Sequence, residues 1–201
     1  KNEFENYIRL GGKVASEPQQ TTMLGGGYFI NLTVSKKNNK NFTYNVFLAS
    51  KIASALNDLP KQGDELVLDG KILGRNSHFI AANYINYANK SLQRNGFIRV
   101  SGKIVRITQS EDFYKLTIKQ EIYKNNGEMK ENQFYVFAEC DKFECLKNAK
   151  KGDVIMLDGV PFTRSSISHN EEYSIPIKTT KCAILNNKNF ETEFEPITSL
   201  K

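Results

Sequence analysis

The stretch GDELVLDG at residues 63–70 returns as GDVIMLDG at residues 152–159, 89 positions further on. A second pair keeps almost the same interval: YIRLGGKV at residues 7–14 and FIRVSGKI at residues 97–104, 90 positions apart. A near-constant offset across two distant blocks means that one unit of about ninety residues is used twice, a normal size for a small domain. Position-by-position comparison then becomes a tool. A surface residue present in both copies is a stronger functional candidate than one found in a single copy.

Around these blocks the hydrophobic period gives the elements. Ile8, Leu10 and Val14 alternate with Tyr7, Arg9 and Lys13, as a strand requires. YFINLTVS (28–35) puts Ile30, Leu32 and Val34 on one face, and FTYNVFLA (42–49) is a third strand. Residues 50–59 change period, with Ile52, Leu56 and Leu59 on one side of a helix. ELVLDGKI (65–72) and residues 79–87 supply two more strands. The second copy repeats the order: FIRVSGKI, FYKLTIKQ (113–120), FYVFAE (134–139), a helix capped by Asp141 and Glu144, DVIMLDGV (153–160), and residues 175–185. Three strands, a helix and two strands is the order of an OB barrel. The expected fold is all-β: two tandem five-stranded OB-fold barrels with one short helix each. The expected limits are residues 1–88 and 97–188, joined by a linker at 89–96 and followed by an acidic tail at 189–201.

Composition narrows the function class. Among 201 residues, 28 Lys and Arg against 22 Asp and Glu give a net charge of +6, which suits a polyanionic partner without specifying it. Cys140, Cys145 and Cys182 are odd in number and confined to the second copy, so they read as buried free thiols of a reducing cytosol, not as a disulfide framework. His78 and His169 stand apart from any cysteine pair, so neither a metal site nor a cofactor is expected. There is no phosphate-cradling Gly-Lys-Ser/Thr loop and no histidine beside an obvious nucleophile, and the reading is non-enzymatic. No apolar run approaches the roughly 18 residues of a membrane span, and a cytoplasmic, nucleoid-associated protein is expected.

A surface that holds single-stranded nucleic acid needs cations for phosphates and aromatic rings for bases. On the first strand Arg9 and Lys13 face away from the core residues, and Arg99 and Lys103 repeat the arrangement, so these four are phosphate candidates. On the second strand Phe29, Asn31 and Thr33 are expected to face outward; aligning NLTV with KLTI matches them to Phe113, Lys115 and Thr117. On the third strand the outward sets are read as Thr43, Asn45 and Phe47, and as Asn132, Phe134 and Val136, with Phe47 and Phe134 as stacking candidates. Tyr28, Tyr114, Tyr135 and Phe137 share a face with aliphatic residues and are assigned to the core. Lys36, Lys37 and Lys119 on loops, with Arg75 and Arg164 after the fourth strands, extend the basic track. Asp69 and Asp158, each before a glycine, are read as turn residues at strand ends.

NYIRLGGKV (6–14), NLTVS (31–35), SKIAS (50–54), LPKQGDELVLDGKI (59–72), GEMKE (127–131) and KKGDVIMLDG (150–159) together resemble the bacterial single-stranded-DNA-binding protein (SSB) family. The resemblance implies an OB fold, sequence-independent binding of single-stranded DNA in replication, recombination or transfer, and no catalysis. Many members assemble four OB folds, a number this two-copy chain reaches as a homodimer; a monomer, each barrel taking a few nucleotides, stays open beside it. The chain departs from the family where a tryptophan often begins the third strand: that place falls on Thr43 and Asn132, and the chain has no tryptophan. The acidic FETEFEPITSLK (190–201) is not similar to the family's Pro-Phe tip. Two alternatives stay open. One is an OB module that docks a replication or primosome partner with weak nucleic-acid affinity. The other is an RNA ligand, since no residue here separates RNA from DNA.

Overall fold

The computed structural model describes residues 4–35, 41–74, 78–87, 96–109, 113–123, 126–139, 144–161, 174–185 and 192–194. Lys36, Lys37, Arg75, Asp141 and Arg164 lie outside the described residues. The chain falls into two compact units, one built on Tyr7–Phe97 and the other on Ile98–Val160 with the chain from Ser174 onward.

In the first unit the strands are β1 (Asn6–Val14), β2 (Gln19–Thr21), β3 (Gly27–Ser35) and β4 (Asn41–Ala49), followed by helix α1 (Ser50–Ser54), β5 (Glu65–Gly74) and β6 (His78–Tyr87). Pairing runs β1–β5–β6–β4–β3 and back to β1, a closed five-stranded barrel whose one parallel contact is β4 with β6. The second unit has β7 (Phe97–Gln109), β8 (Phe113–Tyr123), β9 (Met129–Glu139), α2 (Glu144–Asn148), β10 (Val154–Pro161), β11 (Ser174–Ile184) and the short β12 (Thr192–Phe194). It closes in the same order, β7–β8–β9–β11–β10–β7, with β9 and β11 parallel. The expected all-β, OB-type architecture is the observed one. β2 and β12 are additions that the sequence pattern did not announce.

The repeated blocks are barrel-closing devices. In KQGD the Lys61 N–H donates to Asp64 Oδ2 at 2.8 Å, and the Gly63 N–H donates to the Val14 carbonyl at 2.8 Å. In KKGD the Lys150 N–H donates to Asp153 Oδ2 at 3.0 Å, and the Gly152 N–H to the Ile104 carbonyl at 2.8 Å. The turn therefore ties the start of the fourth strand to the first strand identically in both copies. Seven residues after the turn glycine, the glycine of LDG lets the fourth strand pass close against the fifth. A Cβ at Gly70 or Gly159 would run into the carbonyl oxygen of Ala81 or Lys178.

The alternating strands fill each barrel with aliphatic side chains, including Ile8, Leu10, Leu32, Leu48, Leu68 and Ile80 in the first and Ile98, Val100, Leu116, Ile118 and Leu157 in the second. Both helices are a single turn or little more. The expected helix at 50–59 stops at Ser54, where the Ser54 hydroxyl turns back to the Lys51 carbonyl at 3.1 Å. Among the described residues no helix is long and apolar enough to cross a membrane.

The cysteine expectation is overturned. Cys145 on α2 and Cys182 on β11, 37 residues apart, form a disulfide with Cα atoms 6.2 Å apart. Counting cysteines missed it because the pair is made by the barrel closing α2 against its last strand, not by a spacing along the chain.

Candidate nucleic-acid interface

The sharpest repeat signal on the surface resolves into a cross-strand ion pair. Arg9 stands opposite Asp69 on β5, and Arg99 opposite Asp158 on β10. Arg9 Nε donates to Asp69 Oδ1 at 2.8 Å and its Nη2 to Oδ2 at 3.1 Å. Arg99 makes the same fork on Asp158, both bonds at 2.7 Å. Asp69 and Asp158 therefore lie within strands, not at turns, and each arginine already has a bidentate carboxylate partner. The Arg9 guanidinium holds the Asp69 carboxyl below its ordinary range, helped by the Tyr7 hydroxyl, which donates to Asp69 Oδ1 at 3.1 Å. The carboxylate in turn raises the pKa of Arg9, and Asp158 raises that of Arg99. Lys13 and Lys103 are exposed, Lys13 standing opposite Glu65 on β5 and Lys103 opposite Val154 on β10.

On the first barrel the outward face of β3 and β4 is the expected one. Phe29 opposes Phe47, Asn31 opposes Asn45, and Thr33 opposes both Thr43 and Lys13. Asn31, Thr43 and Asn45 are exposed, while Phe47 is buried. The rings do not stand free: Phe29 packs on Phe47 at 5.3 Å and on Phe79 of β6 at 5.7 Å. The three phenylalanines cap one end of the face, which is otherwise amide and hydroxyl.

On the second barrel the third strand is inverted relative to expectation. Lys115 opposes Phe137, Thr117 opposes Tyr135, and Lys119 opposes Gln133, so Gln133 and Tyr135 stand on the outer side of the strand, while Phe137 on that side is buried, in keeping with its expected core place. Phe134, a proposed stacking residue, is 0% exposed and among the largest enclosed side chains. The misleading residue is Asn132. It is polar yet inward, and its Nδ2 donates at 3.2 Å to Gln120 Oε1, whose own amide donates to the Ser101 carbonyl at 2.8 Å. A buried amide pair made the core face look like the outer one, and a shift of one residue exchanges the faces of a whole strand. Phe113 is also buried, edge-on to Phe137 with centroids 6.1 Å apart.

The corrected face carries both kinds of group the chemistry asks for. Lys115 Nζ lies 5.4 Å from the centroid of the half-buried Tyr135 ring and 5.9 Å from that of Phe137. Lys119 is paired with Glu131. Sequence reasoning missed Arg106: a bulge between Ile104 and Arg106 sets it opposite Thr117 on this face, three residues from Lys103 instead of two. The pairing also places Tyr135 opposite Thr117 as Thr43 is opposite Thr33, so the third-strand position assigned to Asn132 belongs to an aromatic. Among the described residues no group of histidine, cysteine and carboxylate side chains is placed to hold a metal.

No protein-family model and no curated protein matches the sequence. Solved structures do. A deletion variant of the single-stranded DNA binding protein from Thermus aquaticus aligns with a TM-score of 0.58 at 13% identity, over 98% of this chain and 98% of that one. The wild-type Thermus aquaticus protein aligns with a TM-score of 0.56 at 12% identity, over 98% and 97%. The likeness spans both barrels and is one of fold.

Proposed function

We propose that this chain binds single-stranded nucleic acid, DNA in the first instance, without reading a fixed sequence, in replication, recombination or transfer. The observation that carries the proposal is the outward face of β7–β9, where Lys115 lies over Tyr135 and Lys103 and Arg106 stand on β7 opposite Lys119 and Thr117. Cations on a sheet with an accessible ring neutralise phosphates and stack a base at the same time. The face of β3 and β4, with Lys13 at its edge, provides a second contact of different character. The Thermus aquaticus proteins of the same fold support the reading by what their names say they bind. Arg9, Arg99, Phe113 and Phe134 are not part of the proposed contact. As a homodimer the chain presents four such barrels to one strand.

The test is fluorescence anisotropy of a labelled dT oligomer, with duplex DNA and rU as competitors. The proposal expects tight dT binding and poor competition by duplex, with rU reporting the sugar preference. Equal competition by duplex would mean that charge, not stacking, holds the ligand. No binding at low salt would sink the proposal and favour a module that docks a replication protein.

A further inference from the structure

The two barrels present the same strands outward with different chemistry. Where the second places Lys115 opposite Phe137 and Thr117 opposite Tyr135, the first places Asn31 opposite Asn45 and Thr33 opposite Thr43. Asn45 is exposed, and its side-chain amide has no hydrogen-bond partner among the described residues. Asn31 is exposed too; its Nδ2 donates to Ser16 Oγ at 3.3 Å, leaving its Oδ1 to accept from a ligand. Thr33 and Thr43 bond each other at 3.1 Å and hold the row below. Directly opposed residues on a sheet have Cβ atoms about 5 Å apart, so the two amides form one patch about the width of a base edge. Each amide offers a donor and an acceptor side by side. That pattern complements the paired donor and acceptor on the edge of an unstacked base, whereas a ring reads only its π-face.

We infer that the first barrel holds a strand through hydrogen bonds from Asn31 and Asn45 to base edges, while the second holds it through cations and stacking. The chain therefore carries one base-discriminating barrel and one sequence-tolerant barrel. This rests on the single-strand reading above, and the test separates the two.

The full chain is titrated with a dT oligomer and with the same oligomer made of N3-methylthymidine, which keeps sugar, phosphates and π-face but blocks the pairing edge. The wild-type chain should bind the methylated oligomer about fivefold more weakly, the effect of losing one or two modest hydrogen bonds. Asn31→Ala/Asn45→Ala should bind both oligomers alike. Because both residues are exposed, its thermal unfolding should match wild type; Asn31→Ser/Asn45→Ser provides a second variant. Tyr135→Ala should weaken both oligomers and keep their ratio. Equal wild-type affinities, or a ratio that survives in the double variant, would overturn the inference while leaving strand binding intact. Failure to bind either oligomer would remove the single-strand reading, and the inference with it.

Discussion

Replacing Arg99 by alanine should cost stability and leave nucleic-acid binding almost untouched. The magnitude follows from burial. The Asp158 carboxylate is only 7% exposed and accepts two 2.7 Å bonds from a guanidinium that is 39% exposed. Removing the partner of a fully buried charge costs about 3–5 kcal/mol, and an exposed pair contributes about 0–1 kcal/mol. With one buried and one half-exposed partner, and bonds to charged groups worth about 1.5–3 kcal/mol, the loss should be about 2 kcal/mol. The Arg9–Asp69 pair is more open, at 47% and 24% exposure, so Arg9→Ala should cost about 1 kcal/mol or less. Urea unfolding reads this directly: at a slope of about 2 kcal/mol/M, Arg99→Ala lowers the second barrel's midpoint by about 1 M. A double-mutant cycle with Asp158→Ala should recover most of the loss as coupling. The same proteins are titrated with dT across a salt series. If each arginine substitution lowers the slope of log K against log salt by about 0.7 with no fall in stability, the arginines bind phosphates and the structural account of the repeat is wrong.

Four further outcomes follow from the same structure. Tyr44 is enclosed and its hydroxyl has no partner among the described residues, so Tyr44→Phe should be neutral or stabilising by about 1 kcal/mol in urea unfolding. Burial raises the Tyr44 pKa, so its contribution is intact below the unfolded value of about 10 and is lost as pH rises beyond it; the phenylalanine variant should flatten that alkaline limb. The depressed Asp69 carboxyl acts in the opposite direction: its contribution is present above the unfolded value of about 4 and lost as pH falls through the lower folded value, and Asp69→Asn should blunt this acid limb. Closing a 37-residue loop should be worth up to about 4 kcal/mol, so reductant or Cys182→Ala should lower the second barrel's midpoint; a midpoint indifferent to reductant would show that the bond contributes nothing.

The fold was readable because the repeated residues are the ones the barrel needs. Gly-Asp closes the turn onto the first strand, the LDG glycine admits the fifth strand, and the Arg–Asp fork locks the first strand to the fourth. For function the same repeat is ambiguous: of the cations common to both copies, Arg9 and Arg99 are held in cross-strand forks, while Lys13 and Lys103 stay exposed. What differs between the copies is where the proposed contacts lie: Asn31 against Lys115, and Thr43 against Tyr135. Two local events hid this from periodicity. A bulge at Ile104/Arg106 changed the phase of β7, and the Asn132–Gln120 pair put amides where a strand pattern expects hydrocarbon. Neither leaves a hydrophobic signature, because a bulge is a backbone count and a satisfied buried amide looks polar in sequence.

The most direct test of the central claim is the salt dependence of dT binding by the wild-type chain and by Lys103→Ala/Arg106→Ala/Lys115→Ala. With Lys13, those three cations predict a wild-type slope of about −3 at roughly 0.7 per phosphate, falling to about −1 in the triple variant with unfolding unchanged. Identical slopes for the two proteins, or no dT binding by the wild type, would contradict the assignment of this face.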